Sequence, residues 1–181
     1  ILVGAQIVSA AQSIVARSVD PLEAAVVSIT QFHAGHTDNV IPPSAKLSGT
    51  VRTLSPEIRD FVETRFKELV AATAAAYGAT ATVDYVRNYP VVVNHADETG
   101  FASAVAADVA GTDRVDTDAA PMMGAEDFAF MLEEKPGAFI FMGNGDSAKL
   151  HNPDYDFNDE AIPYGCSYWV KLVETAMPAR T

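Results

Sequence analysis

Apolar and polar residues recur along this chain in two periods, and each change of period marks a new element. Residues 1–17 place Ile7, Val8, Ala11, Ile14 and Val15 on one face of a helical repeat. Pro21 in "SVDP" cannot continue that helix. "AAVVSITQF" (24–32) then predicts a strand, with Val27 and Ile29 set against Ser28 and Thr30. "AKLSGTVRT" (45–53) alternates more cleanly. Ala45, Leu47, Gly49 and Val51 face one way, and Lys46, Ser48, Thr50 and Arg52 face the other. Arg52 is therefore expected on the face away from the apolar one.

Ser55 followed by Pro56 predicts a helix N-terminus. Its stripe is Ile58, Phe61, Val62, Phe66, Leu69 and Val70, and Gly78 stops it. "TATVDYVRNY" (80–89) predicts a third strand that buries Ala81, Val83 and Tyr85. The order is helix, strand, strand, helix, strand. One strand in front would complete β-α-β-β-α-β, the split ferredoxin-like unit. The chain opens "ILVGAQIVSA", with neither a Met nor a basic n-region, so that strand is expected upstream of residue 1.

"NYPVVVN" (88–94) reads as a boundary. A helix over 97–110 presents Phe101, Ala104, Val105 and Val109, and Gly111 closes it. "MGAEDFAFMLEEKPG" predicts a short helix with an acidic start, ended by Pro136-Gly137. "AFIFMG" (138–143) predicts a nearly all-apolar strand, as in a sheet covered on both faces. A last helix, from about Pro163 to Met177, is expected to bury Cys166, Trp169, Leu172, Val173 and Ala176. The fold class is α/β (α+β).

Composition narrows the function. The 181 residues suffice for one ordinary domain or two small ones, and a hydrophobic share of 49% supports a buried core. Acids outnumber bases 24 to 12, for a net charge of −12, which repels phosphate backbones and argues against nucleic acid. No apolar run approaches the ~18–20 residues that cross a bilayer, so no membrane partner is expected. The single Cys excludes an intrachain disulfide and suits a reducing cytoplasm.

The candidate chemistry starts at "GNGDSAKLHNPDYDFNDE". His151 follows a predicted buried strand, where α/β sheets hold ligands, and precedes Asp154, Asp156, Asp159 and Glu160. It is either a hydrogen-bonded structural residue or a ligand for Zn or Mn. No obvious complement of ligands accompanies it. The run Asp154-x-Asp156-x-Asn158 invites calcium, but an EF-hand needs Gly at its sixth position and Glu at its twelfth. Asp159 and Gly165 stand there instead. "FMGNGDS" lacks a complete phosphate-loop motif, although backbone N–H groups near Gly143 and Gly145 could cradle a carboxylate. His33, His36 and His95 read as surface residues, and Cys166 as core. Glu126 and Asp127 suit a helix start electrostatically. Arg52 is either solvent-exposed or a two-pronged grip on a substrate carboxylate.

Four ordered stretches carry a resemblance: "FHAGHTDNVIPPSAKLSGTVRT", "MGAEDFAFML", "FMGNGD" and "LHNPDYDFNDEAIPYG". Together they resemble the dinuclear-metal aminoacylase/carboxypeptidase family, in the branch of hippurate hydrolases, N-acyl-amino-acid amidohydrolases and indole-acetyl-amino-acid hydrolases. The resemblance runs from residue 1 to about residue 177. It implies a ferredoxin-like lid and dimerisation domain over about 1–90, lacking its first strand. The C-terminal part of the α/β metallohydrolase catalytic domain follows, over 91–181.

The same resemblance implies the site. His151 looks like the last metal ligand, with the other ligands, the catalytic Glu and a lid His upstream of residue 1. The intact enzyme would carry two divalent ions (Zn, Mn, Co or Ni), with at most one ligand in this chain. Asn39 looks like the lid amide that contacts the scissile carbonyl region, a catalytic and substrate-binding role the resemblance allows in its own or a partner's site. Arg52 looks like the clamp on the substrate's free carboxylate, and Gly145 like a backbone contact to the same group. Glu126 falls near the metal centre in the family pattern. The implied reaction is hydrolysis of N-acyl amino acids by a metal-bridged water in a cytoplasmic homodimer, with this fragment inactive alone. A dipeptidase or carboxypeptidase of the same family, and a non-catalytic ferredoxin-like dimerisation module, are the competing readings.

Overall fold

The two alternating stretches pair as the sheet. In a computed structural model that describes residues 1–178, β1 (Ala25–His33) and β2 (Lys46–Thr53) run antiparallel. Ala25 stands opposite Thr53 and His33 opposite Lys46. The register slips between Ile29 and Gln31, which makes Thr30 the extra residue of a β-bulge. Gly49 sits opposite that bulge, and a Cβ there would lie 1.9 Å from the Ser28 carbonyl oxygen. Only a residue without a side chain lets the two backbones pass so closely.

Two helices cover one face of this hairpin. α1 (Leu2–Ser13) runs into a π-helical turn (Ile14–Ser18). α2 (Pro56–Ala76) starts where Ser55 Oγ accepts the N–H of Ile58 at 3.2 Å, with Pro56 in its first turn. It ends in a Schellman turn. Gly78 takes φ +68, its N–H donates to Ala75 O, and the Ala79 N–H donates to Ala74 O. Ala11, Ile14, Val19, Val27, Val62 and Leu69 form the core between these elements. Val15 and Phe61, expected on the inner faces, are exposed instead.

The predicted third strand is not a strand. Residues 80–89 carry no ladder, and the sheet has two strands, in the order β1-β2. In a split β-α-β unit the last strand pairs with the first, and the chain as given holds no strand ahead of α1. Side chains hold this segment to α2 instead. Arg87 Nε donates to Glu63 at 2.6 Å and Arg87 Nη1 reaches Asp60 at 2.7 Å. Lys67 bonds Glu63 and lies 5.7 Å from the centre of the Tyr85 ring. What stands is a mixed helical fold with a small antiparallel sheet.

The chain divides into two compact units, Ile1–Val91 with Pro121–Ala125, and Val92–Ala120 with Glu126–Thr181. In the second, α3 (Ala96–Ala110) packs on α5 (Ala161–Ala176), and α4 (Phe128–Glu134) lies between them in sequence. The expected strand at 138–143 also lacks a ladder. The Asn94 side chain takes a strand's place beside it, donating to Phe139 O and accepting the Phe139 N–H, both at 2.8 Å. His95 follows the same pattern. Its N–H donates to Gly137 O at 3.0 Å and its Nδ1 accepts the Gly137 N–H at 3.2 Å, so it is a half-buried structural residue rather than a surface one.

α5 corrects a further expectation. It buries Ala161 and Tyr168, while Cys166, Trp169 and Val173 are exposed, Trp169 by 64%. Periodicity identifies an apolar face but not what covers it. α3 takes one side of α5, and nothing among the described residues covers the side that carries Trp169. Phe101 and Ala104 of α3 are likewise exposed, and Ala102 and Val105 are buried. No helix among the described residues is long and apolar enough to cross a membrane.

Two outcomes follow from these contacts. Gly49→Ala should lower stability by about 1–3 kcal/mol through overpacking against the Ser28 carbonyl. An unchanged urea midpoint would contradict the close approach. The Lys67 hydrogen bond, followed by the Arg87 interactions, holds the Glu63 carboxyl below its ordinary value of 4.5. Stability from a lowered carboxylate is complete above that value and lost as pH falls through the folded one. The melting-temperature gap between wild type and Glu63→Gln should therefore close as pH drops below 4.5. A gap of constant size would show that Glu63 contributes no charge-dependent stability.

Candidate functional site

Arg52 is exposed on β2, and no carboxylate among the described residues lies within ion-pair distance of it. Its Nη1 donates to the backbone carbonyl of Met123 at 2.6 Å, within the first unit. The guanidinium is thus held by a neutral acceptor and keeps its charge. A planar, permanently charged fork in that state suits a carboxylate.

Asn39 lies in the connection between β1 and β2, exposed. The Thr37 hydroxyl donates to its Oδ1 at 3.0 Å, which leaves the Nδ2 donors without a partner among the described residues. Those donors are what a polarised carbonyl oxygen requires. No hydrogen bond joins Asn39 to Arg52 among the described residues. Arg52 stands six residues along β2 from Lys46, about 20 Å by strand rise. Asn39 belongs to the connection that enters β2 at Lys46.

In the second unit, residues 143–160 form two loops braced against each other. Asn144 is the brace: its Nδ2 donates to Asp156 O and its Oδ1 accepts the Asn158 N–H, both at 2.8 Å. Ser147 Oγ adds a bond to Asp156 O at 3.0 Å. Gly145 takes φ +78 beside this brace, and a Cβ would meet Asn158 Nδ2 at 3.3 Å. Its N–H has no partner among the described residues. Asn144 was not expected in a structural role and Asn158 entered only through the calcium motif, because their signal is only a turn residue on each side of the loop pair.

A cleft of about 610 Å³ opens between these loops, lined by Asp146, Asp154, Asp156 and Asp159 with no basic residue. That lining repels a carboxylate. Gly145 is not among its lining residues, although its neighbours Asn144 and Asp146 are.

His151 also stays outside the cleft, exposed, with neither ring nitrogen bonded to protein among the described residues. It is the third residue of a turn closed by the Asn152 N–H on Lys149 O at 3.1 Å. Its φ is +67, and it is the one non-glycine residue with positive φ among those described. A turn of this shape ordinarily takes Gly or Asn there. Imidazole in a left-handed backbone conformation costs energy that Gly would not. Glu126 is half-buried and its Oε1 accepts the Phe128 N–H at 3.3 Å at the start of α4. That is the helix-start role its position implied.

The donor set stops short of a metal centre. Among the described residues no group of three or more His, Cys, Asp or Glu could hold a metal ion. His151 offers an imidazole with neither ring nitrogen hydrogen-bonded among the described residues.

Comparison with known proteins places these features. The model for "Peptidase family M20/M25/M40" matches residues 3–175. The chain is 37% identical over 166 residues to the hippurate hydrolase of Campylobacter jejuni, covering 92% of this chain and 43% of that protein. It is 37% identical over 167 residues to N-acetylcysteine deacetylase of Bacillus subtilis, covering 92% and 43%. The crystal structure of the Bacillus subtilis YXEP protein, a dinuclear metal binding peptidase of the M20 family, superposes with a TM-score of 0.79 at 33% identity. That match covers 99% of this chain and 46% of that one. The chain thus spans less than half the length of these relatives, and it belongs to peptidase family M20/M25/M40.

The strained turn generates a test. Replacing His151 with Gly removes a left-handed conformation worth about 1–2 kcal/mol in an L-residue. Thermal unfolding should show His151→Gly at least as stable as wild type and more stable than His151→Ala. Equal melting temperatures for the two variants would remove the strain.

Proposed function

We propose that this chain supplies the substrate grip and one metal ligand of a metal-dependent amidohydrolase that cleaves the amide bond of N-acyl amino acids. The observation that carries the reading is the family match along 3–175, with a hippurate hydrolase and an N-acetylcysteine deacetylase among the relatives. Both printed names describe amides of an amino acid, and an uncancelled guanidinium at Arg52 is what such a product's carboxylate needs. Arg52 grips that carboxylate, and the Gly145 N–H makes a backbone contact to it. Asn39 donates its amide N–H to the scissile carbonyl. Asn39 acts in its own site or in that of a second copy, in a homodimer joined through residues 1–90.

His151 serves as one ligand through its free imidazole, and Glu126 holds the start of α4 nearby in sequence. The second-unit residues then belong to the C-terminal part of the catalytic domain (91–181), of which 179–181 lie outside the described residues. The remaining ligands and the general base belong to the rest of the protein, which is assigned to the cytoplasm.

Hydrolysis of a panel of N-acyl amino acids by the whole protein tests the reading. Arg52→Ala should raise KM by roughly 10–100-fold, the worth of a charge-assisted hydrogen bond. His151→Ala should abolish turnover and lower metal content measured by mass spectrometry. Full activity in His151→Ala would remove that residue from the site. Residues 1–181 alone, given Mn or Zn, should show no turnover, and measurable hydrolysis by them would contradict the division of the site.

A further inference from the structure

Arg52 lies in an acid-rich chain yet meets no acid. Arg59, Arg65, Arg87, Lys67 and Lys171 each stand within ion-pair distance of an Asp or Glu, while Arg17, Lys46, Arg114, Lys135 and Lys149, like Arg52, meet none among the described residues. Arg52 instead crosses 71 residues of sequence to donate Nη1 to Met123 O. Met123 sits in Pro121–Ala125, the one stretch beyond Val91 that belongs to the first unit. Its side chain is half-buried, while that of Met122 beside it is 61% exposed.

We propose that the backbone carbonyl of Met123 is the positioning group for Arg52, fixing the guanidinium in one orientation without neutralising it. The inference rests on the reading of Arg52 as a carboxylate grip. A guanidinium carries five N–H donors in a rigid plane. One is taken by Met123 O, and the others stay available for a two-pronged bond to an anion. A carboxylate in the place of Met123 O would hold the side chain equally well but would compete with the substrate for its charge. A neutral carbonyl does not. The half-buried Met123 side chain anchors that carbonyl, so specificity for substrates with a free carboxylate depends on a residue that need not touch substrate.

Steady-state kinetics of the whole protein on N-benzoylglycine and on its primary amide test this. Met123→Ala should raise KM for the carboxylate substrate about tenfold with kcat unchanged, the effect of losing one hydrogen-bonded constraint. KM for the amide should not move, and Met122→Ala should change neither. Arg52→Ala should raise the carboxylate KM further, and adding Met123→Ala to it should have no additional effect, since the two act through one contact. A thermal melt of each variant separates misfolding from repositioning. Equal KM increases on both substrates in Met123→Ala would show a merely structural role and overturn the proposal. An effect of Arg52→Ala without any effect of Met123→Ala would overturn it while leaving the carboxylate grip in place. No effect of Arg52→Ala on either substrate would overturn the grip itself, and the positioning role with it.

Discussion

Extended backbone must place its N–H and C=O groups, and that requirement shapes this whole molecule. β1 and β2 satisfy it with each other, at the cost of one bulge and one obligatory glycine. Two further segments have the composition of strands but no strand beside them. Each is held by side chains: residues 80–89 by Arg87 on Asp60 and Glu63, and residues 137–139 by Asn94 and His95. Apolar residues are left uncovered too, Phe141 just beyond the second of these segments and Trp169 on α5. A chain spanning less than half the length of its relatives leaves such surfaces where neighbouring elements would pack.

The arrangement of charge follows a second constraint. With 24 acids and 12 bases, Arg59, Arg65, Lys67, Arg87 and Lys171 each find an acid, and such exposed pairs add little stability. Arg52 meets no acid among the described residues and donates instead to a neutral carbonyl from a distant stretch of chain. The His151 imidazole is displayed from a turn that glycine would occupy more comfortably. In the second unit the loops braced by Asn144 and Asn158 keep four aspartates around one cleft, and they leave Gly145 outside it.

Much of this was legible in the order of residues. Ser55-Pro56 and Gly78 marked the limits of α2, and the alternation at 45–53 placed Arg52 on the open face of the hairpin, because local chemistry decides caps and strand faces. The third strand and the burial of Cys166 and Trp169 were misread for one reason. Both depend on what lies next to an element, and period says nothing of neighbours. Met123 as a partner of Arg52 was invisible because a backbone carbonyl has no sequence signature. The positive φ of His151 was hidden likewise, since turn type depends on backbone geometry that a histidine does not advertise. The site residues themselves came from a family pattern rather than from spacing.

The central claim is that His151 closes a metal centre whose remaining ligands lie in the rest of the protein. Anomalous X-ray scattering from crystals of the whole protein grown with manganese addresses it directly. The account predicts a metal peak bonded to a ring nitrogen of His151, at about the 2.0–2.2 Å expected for a nitrogen or oxygen ligand. A metal centre that forms without His151, its imidazole turned to solvent, would contradict the account.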